Sequence, residues 1–416
     1  MARRAGSADL PLHGGRVPPW LAERMTRLGA VICQAIVHHY GRDELLRRLA
    51  HPFWFQSFGS VMGMDWHSSG ITTSVLGALK RGLTPLSGEL GIHVCGGRGR
   101  HSRQTPAELL RVGEAVGLDG ADLGRASRLV AKVDSAAVQD GFDLYLHSFI
   151  VADDGAWVVV QQGMNGENKQ ARRYHWLSEN LTSFVDTPHS AIEGKGQGKI
   201  VNLTDRRAER SRAAQLELLS DLGPDGLVRE MGRLDHAPAP EPLQATLPHL
   251  TMPSHHDVRA ENVVMRRLHG ALAAAAEQGP KDFSDLLLVP GVGARTVRSL
   301  AMVAEVVHGA PCRFSDPARF SLALGGKDRH PFPVPTKVYD ETIRVMKAAV
   351  ANAKLGREEA LGAIERLDIQ ARRLERHATG PSLDAHIAQE RANSAAYGGR
   401  SIAGWEEPPT LKTAKR

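Results

Sequence analysis

Residues 143–164 read "DLYLHSFIVADDGAWVVVQQGM". Two runs rich in aromatic and β-branched side chains flank Asp154-Gly155, a dipeptide suited to a tight turn, so the pattern predicts a β-hairpin. With Asp154 and Gly155 as the central pair of a two-residue turn, Val151 faces Val158, Phe149 faces Val160, His147 faces Gln162 and Tyr145 faces Met164. Leu144, Leu146, Ile150, Trp157 and Val159 then point into a core. Asp143, His147 and Gln162 are left on a face that turns polar away from the turn, the expected floor of a site.

Helical patterning surrounds this hairpin. Residues 19–50 repeat apolar side chains at spacings of three and four, through Leu21, Met25, Leu28, Val31, Ile32 and Ile36. In "GGRGRHSRQTPAELLRVGEAVG" a second helix is expected to start with Thr105 as N-cap, Pro106 in its first position and Glu108 closing a capping box. The basic glycine loop with Arg98 and Arg100 leads into that start. Regular patterning fades near residue 195, and a glycine-lysine segment, the arginine cluster "DRRAERSR", a short helical piece and the proline-rich "APAPEPLQATLPHLTMPSHH" follow. The expected architecture is an α+β (mixed) N-terminal domain with a β-hairpin-containing sheet over residues 1–195. A Pro/Arg-rich linker over 196–256 leads to a mostly α-helical C-terminal domain over 257–378. A basic tail over 379–416 is expected to be disordered.

A formal charge of +6 and a pI near 9.3, carried largely by arginine, permit a phosphate-bearing partner. No apolar run is long enough to cross a bilayer, and the N-terminal stretch has no apolar segment of the secretory type. The expectation is a cytoplasmic protein with no membrane partner. Cys33, Cys95 and Cys312 form no CxxC pair, which argues against a zinc ribbon or a disulfide framework and for buried or free thiols.

Residues 282–309, "DFSDLLLVPGVGARTVRSLAMVAEVVHG", fit a short helix, a glycine turn and a second helix. Val297, Leu300, Ala301, Ala304 and Val307 make one apolar stripe, and Arg295 and Arg298 are expected to point outward. Gly291 and Gly293 let the backbone approach a partner closely, and the amides at the helix start favour an anion, with Arg295 and Thr296 as supporting donors. Over residues 282–308 the chain resembles the helix-hairpin-helix family of DNA-binding elements, which hold the nucleic-acid backbone without reading sequence. In the glycosylase branch of that family a lysine two residues beyond the second hairpin glycine acts as nucleophile. This chain has Arg295 there, which puts Schiff-base chemistry in doubt. Asp316 falls near the branch's acidic position, without its usual surroundings.

The segments "GMDWHSSGITT", "KVDSAAVQDG", "VVVQQGMN", "ARRYHW" and "LALGGKD" together resemble the family known as domain of unknown function 763, over about residues 10–355. The resemblance implies an architecture and no activity.

Candidate chemistry gathers around the hairpin. Asp134 and Asp140 precede it, and Arg172, Arg173 and His175 follow it. Two carboxylates with histidine suit a hard divalent cation, Mg or Mn, and nearby arginines suit phosphate. The catalytic candidates are Asp134, Asp140, His147, Gln162 and His175, with Asp134 and Asp140 as metal ligands. The nucleic-acid-binding candidates are Gly291, Gly293, Arg295, Thr296, Arg298, Arg98, Arg100, Arg172 and Arg173. No PD-(D/E)xK signature is present, and in the bland alternative the acids cap turns while His147 and Gln162 share a cross-strand hydrogen bond. Asp65, His67 and Ser68 form a second cluster, read more simply as a helix cap. The expected partner is nucleic acid, DNA first, and the expected function is DNA processing or repair by a metal-dependent nuclease. The alternatives are a non-catalytic DNA-binding module and a monofunctional DNA glycosylase using Asp316.

Overall fold

The computed structural model describes residues 19–64, 70–167, 170–235 and 265–318, with a few residues outside those ranges. It is a mixed structure of helices and antiparallel sheets, as expected. The described chain divides into two compact units, one running to Leu90 with Ile192–Lys195, the other comprising Gly91–Ala191 and Gly196–Ala318. Asp65, His67, Ser68 and almost all of the expected tail lie outside the described residues.

The first unit is helical. Helices α1 (Pro19–Tyr40), α2 (Arg42–Ala50), α3 (Pro52–Val61) and α4 (Gly70–Leu83) bury Ile32, Ile36, Leu45, Phe55, Phe58, Val75 and Leu79 among themselves. The single pattern read over residues 19–50 is two helices, because Gly41 adopts a φ of 87° and ends the first.

The second unit holds the hairpin. Strand β1 (Ile92–Arg98) leads into α5 (Arg100–Val116) and α6 (Gly120–Lys132), which is followed by a π-helical turn over Val133–Ala137 and the short strand β2 (Val138–Gln139). Strands β3 (Asp143–Ala152), β4 (Trp157–Asn165) and β5 (Gln170–Leu177) pair consecutively, and β1 pairs with β3, giving the antiparallel order β5-β4-β3-β1. A second antiparallel sheet joins β2, β6 (Lys199–Asn202) and β7 (Arg313–Ser315). Helices α7 (Glu209–Asp221), α8 (Gly223–Asp235), α9 (Met265–Gln278), α10 (Phe283–Leu288) and α11 (Ala294–His308) complete the unit.

Helix α5 begins six residues earlier than expected, at Arg100, with Gly99 as its cap and Thr105 and Pro106 inside it. Proline has no amide to offer the Ser102 carbonyl, and the Thr105 hydroxyl donates to that oxygen instead, at 2.8 Å. Glu108 does not close a capping box; its carboxylate accepts from the Gly96 amide at 2.8 Å. Helices α5 and α6 form an antiparallel pair that glycine makes possible. A Cβ on Gly113 would lie 2.6 Å from Gly120 Cα, and one on Gly120 would lie 2.7 Å from Leu110 Cα.

The hairpin is present, one residue out of the expected register. Its loop has three residues, Asp153 to Gly155, closed by the Ala152 amide on the Ala156 carbonyl at 2.8 Å. Val151 therefore pairs with Trp157, Phe149 with Val159 and His147 with Gln161, and an irregularity at Tyr145 shifts the register one residue further, placing Leu144 opposite Gly163. Because side chains alternate, the slip exchanges Gln162 for Gln161 as the neighbour of His147. Both faces of the hairpin are buried there, so the polar face is no exposed floor.

Residues 196–235, expected to be linker, instead supply β6, α7 and α8. Of the helices expected to form a separate C-terminal domain, those over residues 265–318 belong to the same compact unit as the sheet, and the rest of that expected domain lies outside the described residues. Leu286, Leu287, Val292, Val297 and Leu300 are buried, and α10 and α11 pack on α6 and on the π-helical turn. An apolar stripe needs a surface to cover it, and here the α/β layer provides it.

Candidate functional site

The π-helical turn at the end of α6 carries Asp134, which is fully buried. Its carboxylate accepts from Gln161 Nε2 at 2.5 Å, Trp176 Nε1 at 2.9 Å and His189 Nε2 at 2.5 Å. Gln161 Oε1 lies 2.6 Å from His147 Nδ1, and His147 Nε2 lies 2.9 Å from Ser127 Oγ. An amide oxygen only accepts, so Nδ1 carries the imidazole proton and the neutral ring accepts from the Ser127 hydroxyl at Nε2. The chain Ser127, His147, Gln161, Asp134 thus runs in one direction and ends on a carboxylate. Burial holds His147 below the ordinary imidazole value, against the opposing pull of the Gln161 bond and the Asp134 charge.

Asp140 belongs to a different cluster. It follows β2, Asp316 follows β7, and the guanidinium of Arg172 on β5 is bonded to both. Arg172 Nη1 reaches Asp140 at 2.7 Å, and its Nη1 and Nη2 reach Asp316 at 3.0 and 2.7 Å. The Tyr174 hydroxyl donates to Asp140 at 2.7 Å, the amides of Gln197 and Ala318 donate to Asp316, and the guanidinium lies 4.6 Å from the Phe142 ring centre. All three charged side chains are at most 2% exposed. Burial pushes the Asp140 carboxyl up against the pull of Arg172, while the two carboxylates hold Arg172 protonated.

Of the expected catalytic set, Asp134 and His147 are joined through Gln161, which sequence reasoning passed over for Gln162. Asp140 is engaged elsewhere, and Asp134 and Asp140 direct their oxygens to separate sets of protein donors. His175 accepts from Arg173 Nε at 2.9 Å, both fully buried. Gln162 accepts from the Tyr145 hydroxyl at 3.0 Å. Among the described residues no three His, Cys, Asp or Glu side chains come together as a metal site. Arg172 and Arg173, expected to meet phosphate, are buried and reach no surface. Ser127 and His189 carried no local signal, since each enters the network from a distant segment, whereas Tyr174 and Trp176 stand on the same strand as Arg172 and His175 and were passed over for them.

The neutral state of His147 has a consequence in solution. The unfolded chain takes up a proton near pH 6.5 that the folded ring resists, so this contribution to stability is present above that pH and lost as pH falls through it. His51 in the first unit, pushed down to about 4 by burial, acts in the same direction. Asp140 acts oppositely, its contribution being lost as pH rises through its raised value. Urea denaturation of wild type and His147→Gln between pH 7 and 5 isolates the histidine, and the variant is expected to lose less stability on acidification. A steeper loss in the variant contradicts the assignment.

The glycine turn between α10 and α11 offers a different surface. Gly291 has a φ of 89°, a left-handed conformation that favours glycine, and the Val292 amide closes the turn on the Val289 carbonyl at 3.1 Å. On its inner side Lys132 Nζ donates to the Val292 carbonyl, Gln139 Nε2 donates to the Ala294 carbonyl at 2.9 Å, and Arg298 Nε donates to Gln139 Oε1 at 2.6 Å. Arg298 is therefore turned inward, not outward as expected, and Thr296 is buried. Pro290, Gly291 and Arg295 are exposed and Gly293 is half-buried. Arg98 and Arg100 are exposed as well.

No helix among the described residues is long and apolar enough to cross a membrane, and all three cysteines are buried and outside any disulfide. No curated protein and no solved structure matches the chain. The segments that carry the second unit's polar network fall within a match to one family over residues 6–334, and the chain belongs to that family, described as protein of unknown function (DUF763).

Proposed function

We propose that the protein binds nucleic acid, DNA in the first instance, by gripping its sugar–phosphate backbone at the turn between α10 and α11, used as a helix-hairpin-helix element. The observation that carries this reading is the two-sided turn. Its inner carbonyls are taken by Lys132 and Gln139, while the outer side presents Gly291, the start of a 15-residue helix and the exposed Arg295. The amides of a helix's first turn have no acceptor within the helix and suit a phosphate oxygen, which the adjacent guanidinium reinforces. The grip carries no base information, so affinity is expected to vary little with sequence.

Binding without catalysis is the reading favoured here. A hydrolytic centre on Asp134 and Asp140 would need carboxylates open to a metal and a scissile phosphate, and these are buried and occupied by protein donors. A glycosylase using Asp316 would need that carboxylate at a base pocket, and Arg172 holds it in a buried ion pair. In fluorescence anisotropy with labelled single- and double-stranded DNA and with RNA, Arg295→Ala is expected to weaken binding several-fold and to reduce the salt slope by about 1. Unchanged affinity and slope in a folded variant would remove the turn's role.

A further inference from the structure

The antiparallel pairing of α5 and α6 places a second set of cations beside the turn. A Cβ on Gly120 would meet Leu110, and one on Gly124 would lie 3.6 Å from Pro106 Cβ, so successive levels of the pair match residues whose numbers run in opposite directions. Arg128 and Lys132 therefore fall opposite the beginning of α5, where β1 delivers Arg98 and where Arg100 and Arg103 stand. Helix α6 also packs on α10, with Arg125 Nη2 on Asp285 at 3.1 Å, and its last residue, Lys132, binds the Val292 carbonyl. The end of α6 thus has the basic glycine loop on one side and the α10–α11 turn on the other.

Arg98, Arg100, Arg103, Arg128 and Arg295 are all exposed, and none makes an ion pair among the described residues. The acid nearest along the chain to Arg100 and Arg103, Glu108, is turned to the Gly96 amide. The other acids of the helix pair, Glu114, Asp119 and Asp122, lie at its far end with Arg111, and the exposed Asp143 starts β3. Exposed arginines are ordinarily interspersed with carboxylates, and a run without them at one end of a helix pair favours a polyanion.

We propose that these two elements form one continuous track, running from Arg98, Arg100 and Arg103 past Arg128 to Arg295, and that it holds several consecutive phosphates of one nucleic acid. This rests on the turn's reading as a backbone grip and extends it to a bipartite site. Packed helices lie about 8–10 Å apart, so a track crossing α6 from one side to the other spans about 20 Å. At a rise of about 3.4 Å per nucleotide this corresponds to about six nucleotides.

The test is anisotropy with 5′-fluorescein-labelled DNA of about 4 to 20 nucleotides, single- and double-stranded, on the full chain. Arg98→Glu/Arg100→Glu is expected to weaken binding to the long oligonucleotides at least tenfold and to reduce the salt slope by about 2, with Arg128→Glu acting in the same direction. Arg98→Lys/Arg100→Lys, which keeps the charge, is expected to bind nearly as wild type, separating electrostatics from a folding defect. Wild-type affinity is expected to rise steeply with length up to about six nucleotides and then to level. If the loop variants bind as wild type while Arg295→Ala is weakened, the track is overturned and the turn alone stands. If wild type binds none of the oligonucleotides, both readings fall.

Discussion

Arg172→Met is expected to lower the unfolding free energy by about 3–5 kcal/mol. The guanidinium sits between Asp140 and Asp316 with no exposure, and its removal leaves two carboxylates buried at close range with no counter-charge. The loss comes from the stranded carboxylates more than from the forfeited attraction, because a buried pair gains little net energy once desolvation is counted. Two further substitutions separate these contributions. Arg172→Met combined with Asp140→Leu and Asp316→Leu is expected to recover a large part of the stability, limited by the Tyr174 hydroxyl and the Gln197 and Ala318 amides that would lose their acceptors. Urea denaturation measures both, and a fall below about 1 kcal/mol in the single variant would mean that the cluster is open to water in solution.

Gln161→Leu is expected to cost about 3 kcal/mol. The amide is the joint between His147 and Asp134, and an apolar replacement orphans the imidazole Nδ1 proton and removes one of three donors from a fully buried carboxylate. Ser127→Ala, at the outer end of the chain, removes a single donor and is expected to cost about 1 kcal/mol. Neither substitution touches the turn or the basic loop, so nucleic-acid affinity is expected to persist wherever the variant is folded. A loss of affinity in folded Gln161→Leu would instead connect the buried network to the binding surface.

The hairpin was legible because alternation and turn chemistry agree over 22 residues, and the mixed class followed from it. Its register was not, since the loop takes in Asp153 as well as Asp154 and Gly155, and one added residue turns every side chain of the partner strand over. That slip hid Gln161, the residue that joins the network. The buried acids were legible as unusual residues beside a strand, but not their partners. Asp316 lies 144 residues beyond Arg172 and Asp134 lies 55 before His189, separations at which spacing carries no information about contact. Residues 196–235 read as linker because arginine and glycine mask a weak helical pattern, which tertiary packing nevertheless stabilises. The turn at 289–293 was legible because Gly291 meets a backbone requirement written into a single residue, whereas the inward course of Arg298 depends on Gln139, far along the chain.

The proposed hold on a phosphate backbone at the α10–α11 turn makes binding depend on salt. Plotted as log Kobs against log salt concentration, wild-type binding to DNA is predicted to fall with a slope of roughly −0.9 for each phosphate neutralised on duplex, and Arg295→Ala with a slope about 1 unit shallower. Absence of association at about 50 mM salt, or binding that does not respond to salt or to Arg295, would contradict it.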